Sequence, residues 1–143
     1  EEDEAEHARY TFGGLMNTTF GLVPAGRSPN SYRLIEVMAA GAVPVLIADN
    51  YVKPFDTLIQ WHRCILQFPS SEMHLILPTL RAMVARADKY PNELLQRQSY
   101  CIRIYNDFLR DDPTLLRTAI AALKARMYGA MPLRPDNNTY GLI

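Results

Sequence analysis

The 143-residue sequence predicts an α/β domain: a short parallel sheet covered by helices in a three-layer arrangement, with a helical C-terminal part. Three observations carry this reading. Two apolar stretches, residues 19–23 (TFGLV) and 42–48 (AVPVLIA), flank a segment in which Ile35, Met38 and Ala39 fall on one helical face. The second stretch is apolar on both faces, as a central parallel strand covered by helices requires. Beyond Pro69 the pattern turns helical and remains so almost to the end.

Residues 1–9 form an acidic leader, unlike the basic and apolar start of a secretion signal. The chain starts without methionine and is expected to be a piece of something longer. The folded unit is placed at residues 10–128. Its first strand, 19–23, is closed by Pro24 and Gly26. The helix that follows begins at Ser31, with Asn30 or Ser31 as its cap and Gly41 as its stop. The second strand carries Pro44 near its start, where a missing N–H is tolerated. A helical turn over residues 55–61 leads to a third strand at 64–68 (CILQF). Three helices complete the domain: one from near Pro78, which suits a first turn, to Asp88, then 92–109 and 113–128. Residues 129–143, with two prolines and an asparagine pair, read as a loop-like tail.

An apolar fraction of 48% and an equal count of 15 acidic and 15 basic residues describe a globular chain. They exclude a disordered protein and a nucleic-acid binder held by broad positive charge. No uninterrupted apolar window is long enough to span a bilayer. Cys64 and Cys101 lack the spacing of a zinc or redox motif and are read as two buried free thiols, their disulfide state left open. Asn17-Thr18-Thr19 and Asn137-Asn138-Thr139 fit the N-glycan acceptor pattern, and the polar tail favours Asn137.

The candidate site lies between the first strand and the helix. Gly26 permits close backbone approach, Arg27 and Arg33 are forked donors matched to phosphate oxygens, and Ser31 can donate to the same group. Glu36 follows Arg33 by three residues on the same face, where its carboxylate can accept from ribose hydroxyls. Together they make a diphosphate cradle at the carboxyl edge of a parallel sheet. The plainer reading is a surface ion pair beside a solvated loop charge.

The run FGLVPAGRSPNSYRLIEVMAAGAVPVLIADNYVKPF resembles the signature of the exostosin family of glycosyltransferases. The matching positions are Phe20, Pro24, Gly26, Ser31, Arg33, Glu36, Ala40, Gly41, Pro44, Val45, Asn50, Pro54 and Phe55. The resemblance covers roughly residues 10–123 and is strongest over 20–61. It implies a Rossmann-like domain, the C-terminal, nucleotide-sugar-binding half of a GT-B enzyme. It further implies inverting transfer from a UDP-sugar to a glycan acceptor at the lumenal side of the Golgi membrane. Any membrane attachment then comes from a segment absent from this chain, and a dimer is left open. By the same resemblance Arg27, Ser31 and Arg33 hold the diphosphate, Glu36 the ribose, and Asp49 and Asn50 the donor sugar. Ala25 stands where some animal members carry a basic residue, a pattern nearer the plant members, so the donor cannot be assigned from the animal enzymes.

Such a transfer needs a general base and positive charge for the departing diphosphate. The arginines answer the second need, no Asp-x-Asp motif is present to hold manganese, and no cofactor beyond the donor or divalent metal is expected. His62 and His74 lack a recognisable partner, so the catalytic base is unassigned and expected in a missing acceptor domain. A non-catalytic nucleotide- or glycan-binding module derived from such an enzyme is the alternative. A dehydrogenase domain is disfavoured because no Gly-x-Gly-x-x-Gly follows a strand. Among the aromatics, Phe55 and Trp61 are assigned to the core and Tyr51 to the surface, as a platform for a sugar ring.

Overall fold

The computed structural model describes residues 14, 17–26 and 31–128. Its sheet has three parallel strands, β1 (Phe20–Pro24), β2 (Val43–Ile47) and β3 (Leu66–Phe68), in the order β1-β2-β3. Phe20 pairs with Val43 and Pro24 with Ile47, while Val45 pairs with Leu66 and Ile47 with Phe68. β2 is the middle strand and its first four residues are buried, which explains its apolar sequence on both faces.

Helix α1 (Arg33–Ala39) crosses between β1 and β2. Gly41 adopts φ +78°, and the Gly41 and Ala42 N–H groups donate to the Met38 and Val37 carbonyls, so the glycine stop takes the form of a left-handed cap. Leu34, Val37 and Met38 are its buried residues and Gly21 receives it, for a Cβ there would sit 2.5 Å from both Val37 γ-methyls. Helix α2 (Ile76–Lys89) covers the other face, where Ile76 and Leu80 pack with Phe20, Val45, Ile47, Leu66 and Phe68. It begins two residues before Pro78, and a 3₁₀ segment, Ser70–Leu75, precedes it.

Helices α3 (Pro91–Ile104) and α4 (Asp112–Tyr128) join α1 on the first face. The predicted 92–109 helix becomes a five-residue π-turn over Tyr105–Leu109. The buried Thr118 hydroxyl lies 3.0 Å from the Phe108 carbonyl and 2.8 Å from that of Thr114, satisfying backbone at that widening. Asp111 Oδ1 accepts the Thr114 N–H at 2.9 Å and so caps α4.

Cys64 and Cys101 are joined in a buried disulfide, correcting the free-thiol reading. They are 37 residues apart, and folding brings their Cα atoms to 5.0 Å, a proximity that spacing along the chain does not reveal. Beside them, Arg97 donates to the carbonyls of His62, Cys64 and Ile65, tying α3 to the turn before β3. No described helix is long and apolar enough to cross a membrane. The 1–9 leader and the 129–143 tail lie outside the described residues.

Candidate functional site

All three strands finish at one edge. Ala25 N–H donates to the Ile47 carbonyl at 2.9 Å and Ala48 N–H to that of Phe68 at 3.1 Å, so the chain leaves β1 and β2 side by side. Gly26 stands exposed two residues beyond β1, and Asp49 and Asn50 stand exposed just beyond β2. Parallel packing thus brings the two halves of the sequence motif to a single carboxyl edge. Arg27 lies outside the described residues.

Ser31 Oγ accepts the Arg33 N–H at 3.3 Å, a local turn that starts α1 and leaves the hydroxyl proton for donation. Arg33 and Glu36 form an ion pair at 3.2 Å with side chains 40% and 41% exposed. The ion-pair part of the plainer sequence reading therefore holds, and a pair so exposed contributes only ~0–1 kcal/mol to stability. Such a pair presents a forked donor and a carboxylate to solvent together, the two functions a phosphate and a sugar diol ask for.

The sequence did not reveal how this corner is held. Tyr51 is half-buried against the core, and its hydroxyl accepts the Ser31 N–H at 3.0 Å while donating to the Ser31 carbonyl at 3.2 Å. Partial burial raises its pKa, which keeps the donating proton in place. Tyr51, assigned to the surface, is only partly exposed, and its hydroxyl makes it a strap between the loops after β1 and β2. Twenty residues separate the partners, so no local signal could have found it. Phe55 and Trp61 pack with the core as expected, Trp61 Nε1 donating to the Pro54 carbonyl at 2.9 Å.

Beside the strap opens a cleft of about 590 Å³, lined by Ser31, Tyr32, Ile35, Tyr51, Val52 and Phe55 among others. Its size suits a small organic ligand. Tyr32, 90% exposed, is the aromatic at this rim that sequence reasoning overlooked. Asp49 is directed elsewhere in part: its Oδ1 accepts the Ser70 N–H at 2.8 Å, and that bond lowers its pKa. It therefore also anchors the turn after β3, as a strand-terminal aspartate commonly does. His62 and His74 are exposed, and His62 borders a second depression of about 520 Å³ with Lys53, Asp56 and Gln67. Among the described residues, no cluster of three or more His, Cys, Asp or Glu side chains could hold a metal ion.

Residues 1–83 match the family model of the exostosin GT47 domain. The chain is 40% identical over 78 residues to exostosin-1 of Drosophila melanogaster, a match covering 48% of this chain and 10% of that protein. It is 25% identical over 129 residues to exostosin-1c of Danio rerio, covering 90% of this chain and 17% of the relative. Over 63 residues it is 40% identical to the exostosin-1 homolog of Caenorhabditis elegans, covering 43% and 16% respectively. The chain spans less than a fifth of the length of these relatives. They are animal proteins and lend no support to the plant-like reading of Ala25.

Proposed function

The chain belongs to the exostosin GT47 family of glycosyltransferases, and on that premise we propose that it supplies the nucleotide-sugar-binding half of such an enzyme. The single observation that supports this is that Gly26 and Asn50 follow the carboxyl ends of adjacent parallel strands while Ser31, at the start of the helix that carries Arg33 and Glu36, borders a ligand-sized cleft. In this reading Arg33, with Arg27, takes the diphosphate of a UDP-sugar, Ser31 donates to a phosphate oxygen, and Glu36 turns from its ion pair to a ribose hydroxyl. Asn50, with Asp49 to the extent that Ser70 leaves it oxygens to offer, faces the sugar.

Chemistry follows from charge. Inverting attack by an acceptor hydroxyl places negative charge on the departing diphosphate, and fixed guanidinium groups stabilise that charge without a divalent ion. The acceptor glycan and the general base come from a second domain, so this chain alone binds donor without transferring it. The buried disulfide favours an oxidising lumen, in keeping with a Golgi enzyme anchored by a segment outside this chain.

Calorimetric titration with UDP, GDP and an Arg33→Ala variant tests the reading. Binding of UDP that falls at least tenfold in the variant supports it; a folded chain that binds neither nucleotide contradicts it.

A further inference from the structure

We propose that the outer face of α4 docks an acidic amphipathic helix of a partner protein. Toward the core this helix presents mostly small residues, with Thr114, Thr118 and Ala125 buried and Ala121 and Ala122 packed beside them. Its large apolar residues point the other way. Leu116, Ile120, Leu123 and Met127 are each between 46% and 73% exposed. Their spacing of four, three and four residues holds them on one side of the helix, as a stripe about 16 Å long with the a/d pattern of a helix-pairing seam. Single exposed apolar residues are ordinary, whereas large ones in register along a helix make a contact surface.

Charge selects the partner. Arg117 and Lys124 each follow a stripe residue and line one edge of the stripe with exposed cations. Among the described residues neither makes a salt bridge, whereas Arg110 pairs with Asp111 and Arg126 with Asp56. The other edge carries Asp112, Ala119 and Arg126, which sum to no net charge. A helix that lays its own apolar seam on the stripe, with Glu or Asp along the edge that meets Arg117 and Lys124, answers both features at once.

A second copy of this chain fits the stripe poorly. Antiparallel pairing of two α4 helices sets the cationic edge against itself, with Arg117 of one copy facing Lys124 of the other, and like charges so placed oppose association. A stable interface between folded copies also takes about 20–30 residues a side, far more than this stripe and its two cations supply. An anionic bilayer fits poorly as well. Anionic lipids concentrate on the cytoplasmic leaflet, whereas the buried Cys64–Cys101 disulfide belongs to the oxidising side of the membrane.

The test is fluorescence anisotropy with a labelled three-heptad peptide that carries Leu at a and d and Glu at e and g, compared with a peptide in which Lys replaces Glu. The acidic peptide should bind at least tenfold tighter than the basic one, and Arg117→Glu with Lys124→Glu should reverse that order. Leu116→Ser with Leu123→Ser should weaken the acidic peptide at least tenfold. All four side chains are exposed, so the variants keep the parent's melting temperature and lost binding is not lost folding. No binding, or a preference that survives the charge reversal, overturns the inference. In its own cells, a photo-cross-linking amino acid at position 120 should join the protein to an acidic, apolar-seamed segment of another protein. A cross-link to lipid, to a second copy, to another part of the same polypeptide or to a segment without acidic residues overturns the inference, as does the absence of any cross-link.

Discussion

Replacing Gly21 with alanine tests how the sheet positions the candidate site. The new Cβ would lie 2.5 Å from both γ-methyls of Val37, about 1 Å inside ordinary contact. Val37 is fully buried and β-branched, so its methyls cannot swing aside, and α1 itself must retreat from β1. Overpacking of this kind costs about 1–3 kcal/mol. The displaced helix carries Arg33, one turn upstream of Val37, and Glu36 beside it, so donor affinity should fall together with stability. Urea denaturation of Gly21→Ala, Val37→Ala and the double variant separates the causes. Val37→Ala alone opens a cavity at a cost of about 2 kcal/mol. In the double variant the alanine methyl enters that space, and the combined loss should be smaller than the sum by at least ~1 kcal/mol. Additivity within ~0.5 kcal/mol would refute the claim that the two residues meet.

Three further outcomes follow from other parts of the molecule. Tyr51→Phe removes both hydroxyl contacts to Ser31 and should cost about 1–2 kcal/mol in denaturant unfolding; a change under ~0.3 kcal/mol would show that water replaces the strap without loss. Replacing Cys64 and Cys101 together by alanine opens a loop of 37 residues, and chain entropy puts the loss near 4 kcal/mol, so thermal stability equal to that of the oxidised parent would contradict a structural bridge. Asp111, held at a pKa of about 2 chiefly by hydrogen bonds from Thr114, stabilises α4 only while ionised. Because its folded pKa lies below the unfolded value, the gap in melting temperature between wild type and Asp111→Ala should be full above about pH 4 and close as pH falls toward 2; a gap independent of pH would contradict it.

Much of the architecture was legible because it is written in local pattern. The all-apolar run at β2, the Gly41 stop and the helical periodicity after Pro69 each carry their meaning within a few residues. Boundaries moved where tertiary contacts decide them: α1 starts at Arg33, two residues past the expected Ser31, and the helix read through Leu109 widens at Tyr105 where Thr118 meets the Phe108 carbonyl. The motif residues could be read from spacing and family likeness, and the parallel register explains why Gly26 and Asn50 converge. What stayed hidden depends on partners distant in sequence. The Cys64–Cys101 bridge, the Tyr51 strap and the diversion of Asp49 to Ser70 join residues 20 to 37 positions apart. Each arises only once the strands are laid side by side.

If the proposed function is right, donor binds at the carboxyl edge of the sheet. Amide hydrogen exchange of the chain with and without a UDP-sugar addresses it most directly, since bound phosphate and ribose would slow opening of the backbone they touch. Added protection is expected at residues 31–36 and 48–52, lost in Arg33→Ala, with α2 and the start of β1 unchanged. Protection centred on the opposite pole or on the α2 face, or none at saturating ligand, would contradict it.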